Sequence, residues 1–242
     1  RDSQANGDSM AQFLGSCLAH EIEGRHQSAM ATRMKLAKFP TVKTLDSFDF
    51  AAVPTLDKMK ILALADGSFI RERENLVLLG NSGLGKTHLA IGLGVRAIQA
   101  GYRVRFATVP ALVQELIQAE REFRLPKLLK SWEKVDLLIA DELGYVSLGP
   151  GGPLLFQLFA QRYEKSSLII TSNLEFSRWA EVFGDVTMTA ALLDRLTHHV
   201  HTFVLTGQSY RLKQSKMRSE VTKTTDAGGH SDQPVPPATG RI

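Results

Sequence analysis

Eight consecutive residues of this chain have the types and spacing of a phosphate-binding loop. They fit the pattern G-x-x-x-x-G-K-[ST], in which glycines let backbone N–H groups converge on phosphate oxygens. The motif consists of Gly80, Asn81, Ser82, Gly83, Leu84, Gly85, Lys86 and Thr87. Lys86 would add a cation for the β- and γ-phosphates, and Thr87 would offer its hydroxyl to Mg²⁺. An ordinary glycine-rich turn is the alternative, but the apolar runs on both sides favour the phosphate loop.

A second group of candidate residues is the pair of acids, Asp141 and Glu142, that ends the apolar run from Val135. The run predicts a buried parallel strand with both carboxylates at its carboxyl-terminal edge. Because ligands of open α/β sheets bind at that edge, both acids are expected to face the phosphate loop. Asp141 is predicted to hold Mg²⁺, directly or through water, and Glu142 to orient or deprotonate the attacking water. The alternative is two solvated acids in the turn after a strand.

Three further polar residues could act on a bound nucleotide. Asn173 follows a predicted strand, where its amide could hydrogen-bond a γ-phosphate or the attacking water, or simply cap a turn. Arg195 projects from a predicted helix and could enter a neighbouring subunit's site as an arginine finger, or form an ion pair with Asp194. Arg211, after the last predicted strand, is a candidate for touching the nucleotide within its own subunit.

These residues need a sheet whose strands end at one edge, and the hydrophobic pattern predicts such a sheet. Short apolar runs alternate with amphipathic stretches along the middle of the chain, which is typical of a parallel sheet covered by helices on both faces. The predicted strands are residues 75–79, 102–107, 135–142, 167–171 and 201–205. The predicted fold class is therefore α/β.

Composition limits the kind of protein. The 242 residues are 43% hydrophobic and 22% charged, which suits one domain with appendages. No apolar stretch approaches membrane-spanning length and the N-terminus has no signal-peptide pattern, so no membrane partner is expected. The single cysteine, Cys17, cannot form an internal disulfide, which favours a reducing cytoplasm. The net charge of +4 is a mild indication of an anionic partner.

Both ends of the chain differ in composition from the middle. Residues 1–39 are predicted to form a small helical region, residues 40–218 the nucleotide-binding domain, and residues 219–242 a disordered tail. A basic stretch without acidic residues overlaps the first boundary, and its cations are Arg25, Arg33, Lys35, Lys38 and Lys43. Clustered cations on a helix can neutralise DNA phosphates, and a solvated helix face is the alternative.

Five phrases of the sequence carry a resemblance to a known family. They are Gly80 to His88, Leu138 to Tyr145, Ile169 to Asn173, Leu192 to Leu196 and Gly207 to Arg211. In this order they resemble the IstB-like ATP-binding proteins, which are helper ATPases of IS21-type insertion sequences and AAA+ relatives of the DnaC helicase loader. The similarity runs from about residue 30 to residue 216 and includes residues 37–50. Residues 1–29 are less rich in Arg and Lys than is usual in this family, and the tail after residue 219 is extra.

The resemblance implies an AAA+ fold that binds ATP and Mg²⁺, with His88 in the nucleotide site. It implies that a homo-oligomer assembles with ATP on double-stranded DNA, distorts it, and works with a DDE transposase similar to IstA. In such proteins the position of Asn173 serves as sensor 1, Arg195 as the finger acting in trans, and Arg211 as sensor 2.

Other functions remain open at this point. A helicase loader related to DnaC would use the same domain, and residues 1–39 do not decide between the two. A P-loop phosphotransferase acting on a small molecule would have a mobile, Arg-rich lid and no finger in trans. Here, in contrast, a Glu follows the Asp predicted to bind Mg²⁺, and an Arg lies beyond the position of sensor 1. A scaffold that binds ATP without hydrolysis is a further possibility, although every catalytic residue type is present.

Overall fold

The computed structural model describes residues 9–207 and residue 209, and its centre is a five-stranded parallel sheet. In chain order the strands are β1 (Asn75–Gly80), β2 (Val104–Thr108), β3 (Leu137–Leu143), β4 (Ser167–Ser172) and β5 (Val200–Leu205). They lie side by side in the order β2-β3-β4-β1-β5, and every neighbouring pair is parallel. All five predicted strands are present. The carboxyl ends of the strands therefore meet at one edge of the sheet.

Helices connect the strands and precede them. They are α1 (Met10–Ala37), α2 (Lys58–Leu64), α3 (Ser68–Arg71), α4 (Lys86–Gln99), α5 (Val109–Arg121), α6 (Leu125–Trp132), α7 (Gly152–Arg162), α8 (Trp179–Phe183) and α9 (Val186–Thr197). Short 3-10 turns occupy Phe50–Ala52, Gly149–Gly151 and Phe176–Arg178. Within the described part of the chain, none of these helices combines the length and apolar character needed to cross a membrane.

Two hydrophobic cores lie on opposite faces of the sheet. Successive residues of a strand point to opposite faces, and β1 follows this rule: Leu76 and Leu78 enter one core, while Val77 and Leu79 enter the other. The first core packs against the end of α1 and against α2, α3 and α4, and the second against α5 to α9. The predicted parallel sheet with helices on both faces is confirmed.

The N-terminal region is one continuous helix rather than the two helical pieces that the pattern allowed. Ser9 caps α1 through a capping box with Gln12, and Lys38 ends it in the left-handed conformation, with φ +57°. Only its last turns pack against the domain, where Met34 and Ala37 join the first core. Its earlier apolar residues are exposed, namely Met10, Phe13, Leu14, Leu18 and Ile22. The helix therefore projects most of its length away from the core.

A buried arginine holds the edge of the sheet opposite the predicted site. Arg162, at the end of α7, is 3% exposed and donates hydrogen bonds to the carbonyls of Trp132, Val135 and Ser167. Burial lowers the pKa of Arg162 to about 10, so the side chain stays charged at neutral pH. These bonds join the end of α6 to the starts of β3 and β4.

Candidate nucleotide-binding site

The predicted phosphate loop connects the end of β1 to the start of α4. Gly83 and Gly85 have φ values of +84° and +86°, a conformation that residues with a Cβ rarely adopt. At Gly80 the backbone runs so close to β5 that a Cβ would lie 2.3 Å from the carbonyl oxygen of Leu205. The glycines of the motif are thus required by the backbone path. The loop leaves the sheet between β4 and β5, where a ligand crevice is expected.

Positive charge is concentrated at this loop. Lys86 is the first residue of α4, is 6% exposed, and donates from Nζ to the carbonyls of Gly80 (2.6 Å) and Asn81 (2.9 Å). The helix that begins here directs the positive end of its dipole and its unpaired N–H groups toward the loop. An anion placed on the loop would meet both the helix terminus and the ammonium group.

A hydroxyl and a carboxylate stand side by side next to the loop. The Thr87 hydroxyl donates to the carboxylate of Asp141, at 2.9 and 3.1 Å from its two oxygens, and Asp141 is only 3% exposed. Mg²⁺ prefers such oxygen ligands and takes its remaining ligands from water and phosphate. Among the described residues there is no cluster of three His, Cys, Asp or Glu side chains that could hold a metal ion. Thr87 and Asp141 therefore fit a magnesium ion that arrives with a nucleotide.

Glu142 lies at the cavity that adjoins the loop. This half-buried residue lines the cavity together with Tyr145 and Thr171, and the Tyr145 hydroxyl lies 3.3 Å from that of Ser82. Both acids therefore lie next to the phosphate loop, Asp141 in contact with Thr87 and Glu142 on the wall of the adjoining cavity, as the sequence predicted. Sequence reasoning missed Tyr145 and Thr171; a polar Thr within the buried strand β4 is the signal that could have found the latter.

The cavity has a volume of about 550 Å³, which is within the usual range for small-molecule sites. One wall is the phosphate loop, and the other is residues 40–53, here called the lead-in segment. The lead-in residues that line the cavity are Pro40, Thr41, Lys43, Ser47, Phe48, Asp49, Ala52 and Val53. His88 fixes this segment, because its Nε2 donates to the Thr44 carbonyl (2.9 Å) and its ring packs edge-on against Phe48. The cavity thus has room for a nucleoside beside the phosphate loop.

Asn173 does not lie on the wall of this cavity. It follows the end of β4, and its Oδ1 is buried close to Gly144, with no hydrogen-bond partner in the part of the chain that the structure describes. The polar side chain that β4 does direct into the cavity is Thr171.

Arg195 lies near the end of α9 and is not among the residues that line the cavity. Its guanidinium stacks 5.4 Å above the ring of Phe156, and among the described residues it has no ion pair with Asp194 or any other acid. The side chain of Asn75 donates to the carbonyl of Leu196, so this part of α9 adjoins the start of β1. The phosphate loop follows the other end of that strand, about 16 Å away at 3.3 Å per residue. Arg211 lies outside the described residues.

Comparison with known proteins decides the family. Residues 2–218 match the IstB-like ATP-binding proteins. The chain belongs to this family. It is 44% identical over 215 residues, or 88% of this chain and 81% of the relative, to a Pseudomonas aeruginosa protein that is named for insertion sequence IS21 and ATP binding. A Geobacillus stearothermophilus protein named for insertion sequence IS5376 and ATP binding is 43% identical over 89% of this chain and 86% of its own length.

Solved structures support the fold of this IstB-like protein. The DnaI structure has a TM-score of 0.56 at 20% identity and covers 68% of this chain and 91% of its own. The DnaC helicase loader has a TM-score of 0.51 at 23% identity, covering 67% of this chain and 96% of its own. At these identities the likeness concerns the fold alone. The AAA+ P-loop fold and the family predicted from the sequence are both confirmed.

Proposed function

We propose that this IstB-like protein is a Mg²⁺-dependent ATPase that assembles on double-stranded DNA, remodels it, and assists a DDE transposase. Membership of an ATP-binding family supports the nucleotide, and relatives named for insertion sequences support the transposase partner. The observation that carries the proposal is the contact between Thr87 and Asp141 beside Glu142, at a cavity walled by the phosphate loop. We place this activity in the cytoplasm, where the lone exposed Cys17 would stay reduced.

Each of these residues has a distinct part in the proposed reaction. Lys86 and the N–H groups at the start of α4 bind the phosphates, and Thr87 and Asp141 hold the metal ion. Mg²⁺ supplies positive charge that stabilises the phosphoryl group during transfer. Glu142, which lines the cavity without being fully buried, orients or deprotonates the attacking water.

We propose that Arg195 completes the site of a neighbouring subunit. Its distance from its own phosphate loop supports a role in trans, as does the lack of an acidic partner among the described residues. A positioned arginine stabilises the charge of the transition state, so hydrolysis would depend on assembly. We propose that Asn173, whose amide oxygen is buried in this structure, acts as sensor 1 and responds to the γ-phosphate. Arg211 is proposed as sensor 2.

A helicase loader is the second candidate function. The observation that favours it is the fold likeness to DnaI and DnaC. These likenesses lie at 20% and 23% identity, whereas the relatives named for insertion sequences lie at 44% and 43% over most of both chains. We therefore favour transposition.

The proposed ATPase is tested with two substitutions that affect different steps. Lys86→Ala should abolish ATP binding, because it removes the cation from the phosphate loop. Glu142→Gln should leave ATP binding intact and block turnover, because an amide cannot take a proton from water. Titration with ATP and an assay of phosphate release measure the two effects.

Lys165→Ala is the matched control, since Lys165 is an exposed lysine near the opposite edge of the sheet. It should bind and hydrolyse ATP as the wild type does. Normal hydrolysis by Glu142→Gln would show that another group handles the water, and wild-type protein without turnover would favour an ATP-binding scaffold.

A further inference from the structure

The end of β3 contains a β-bulge at the two acids. The register between β3 and β4 shifts between Ala140 and Leu143, so that Asp141 and Glu142 together lie opposite the single residue Thr171. Glu142 takes up the extra length with φ +66°, a left-handed conformation that is unfavourable for a side chain of this kind. Bulges near active sites redirect side chains, and this one must be held by a specific contact.

The hydroxyl of Thr171 makes that contact with both acids. Its Oγ1 accepts a hydrogen bond from the backbone N–H of Glu142 (2.9 Å) and donates one to Oδ1 of Asp141 (2.5 Å). A hydroxyl has one hydrogen and two lone pairs, so it can do both at once. Thr171 is 1% exposed, which removes water as a competing partner.

Asp141 is therefore held from two sides. Thr87 approaches it from the phosphate loop and Thr171 from β4. The Thr87 hydroxyl is also a proposed ligand of Mg²⁺, so Thr171 is the partner that fixes the carboxylate independently of the loop. Among the described residues, Asn173 is not found hydrogen-bonded to either acid, whereas Thr171 is bonded to both.

We propose that Thr171 is a positioning residue for hydrolysis: its hydroxyl sets the orientation of the Asp141 carboxylate and holds the bulge that directs Glu142 into the cavity. The inference rests on the proposed ATPase activity and adds a residue to it. Thr171 does not touch the reacting atoms in this role. It acts through the two acids. It lies two positions before Asn173, the residue that the sequence pattern favours for contact with the γ-phosphate or the attacking water.

The test compares a variant of the same size without the hydroxyl with smaller variants that keep a hydroxyl or replace it by a thiol. Thr171→Val should lower kcat by about 100-fold, the cost of misplacing catalytic groups by about 1 Å, while KM for ATP changes little because the phosphate loop is intact. Thr171→Ser keeps the hydroxyl and should retain kcat within about threefold of wild type. Thr171→Cys, with a weak S–H donor, should fall between them.

Thr189→Val is the matched control for loss of a buried threonine hydroxyl. Thr189 is 3% exposed and donates to the carbonyl of Asp185 at 2.6 Å, on α9 and away from the acids. It should lose thermal stability without losing kcat. Melting curves with and without ATP show which variants are folded. If Thr171→Val does not fold, the test rests on kcat of the other two variants, which should be higher for Thr171→Ser than for Thr171→Cys.

The outcomes separate this inference from the proposed function. Wild-type protein without Mg²⁺-dependent turnover overturns the ATPase and this assignment together. Active wild type with an equally active, folded Thr171→Val or Thr171→Cys protein overturns the assignment alone. If Thr189→Val lost kcat to the same degree, the effect at Thr171 would be explained by general destabilisation. That result would also overturn the assignment of Thr171.

Discussion

At the scale of single residues, Gly85 meets two requirements at once. Its φ of +86° is unfavourable for any residue with a Cβ, and a Cβ there would lie 2.6 Å from the ring of Phe48 in the lead-in segment. We expect Gly85→Ala to abolish nucleotide binding, because the new methyl group either displaces the lead-in segment or distorts the phosphate loop. Titration with a fluorescent ATP analogue measures this.

Gly101→Ala provides the matched control. Gly101 also has a positive φ, +97°, but apart from its chain neighbours no heavy atom of the described residues lies within 4 Å of the position that its Cβ would take. Both substitutions should cost about 1–2 kcal/mol of stability from backbone strain, and only Gly85→Ala should lose the nucleotide. Equal nucleotide affinity in the two variants would mean that the lead-in segment does not form a wall of the binding site.

The phosphate loop could be predicted because phosphate binding needs particular residue types at fixed spacing along the chain. The two acids could be predicted because they end a short apolar run. Lys86, Thr87 and Asp141 lie together as expected. Thr171 and Phe48 could not be predicted in the same way. Their contacts depend on a bulge in β3 and on the path of the lead-in segment, which arise from tertiary structure rather than from local spacing.

At the scale of elements, the alternation of apolar and amphipathic runs predicted every strand, because a parallel sheet buries both faces of its strands. The pattern missed α2, α3 and α8, which have seven, four and five residues. Such lengths span two turns at most, too few for a 3.6-residue period to be recognised. It also predicted a helix in the N-terminal region, but not that the first apolar residues of α1 would be exposed.

The cations of the basic stretch do not all face the same surroundings. Arg25 forms an ion pair with Glu21 within α1, at 2.7 Å, and Lys43 lines the nucleotide cavity. The remaining three are Arg33, which is half-buried, and the exposed Lys35 and Lys38. These three are the candidates for contact with DNA phosphates.

We expect the triple substitution of Arg33, Lys35 and Lys38 by Ala to weaken binding to all duplex sequences alike. The slope of log K against log salt should flatten by up to about three units, since each lost phosphate contact removes about 0.9. ATP affinity should not change, because none of the three lines the cavity. Binding measured over a range of salt concentrations gives the slope.

A second triple variant removes the same charge elsewhere. Lys127, Lys130 and Lys134 are exposed cations in and after α6. Replacing them by Ala should leave the salt slope nearly unchanged. If this control flattens the slope and the triple variant of Arg33, Lys35 and Lys38 does not, the DNA-binding surface lies on the ATPase domain instead.

At the scale of the whole molecule, the nucleotide site and Arg195 lie toward opposite ends of β1. One subunit alone therefore has the phosphate loop, the proposed metal-binding pair and Glu142, but no arginine among the described residues that line its cavity. Stacking of subunits could bring Arg195 of one to the cavity of the next. Hydrolysis would then report assembly, which is what an ATPase that assembles on DNA requires.

The most direct measurement is hydrolysis by mixed variants in the presence of DNA. Arg195→Ala and Lys86→Ala should each be inactive alone, the first for lack of a finger and the second for lack of a working pocket. Mixing them should restore part of the activity, because Arg195→Ala supplies intact nucleotide sites and Lys86→Ala supplies intact arginine fingers. Lys86→Ala mixed with Glu142→Gln should stay inactive, since neither has a sound pocket. No restored hydrolysis from Arg195→Ala and Lys86→Ala at any ratio would contradict a shared site between subunits.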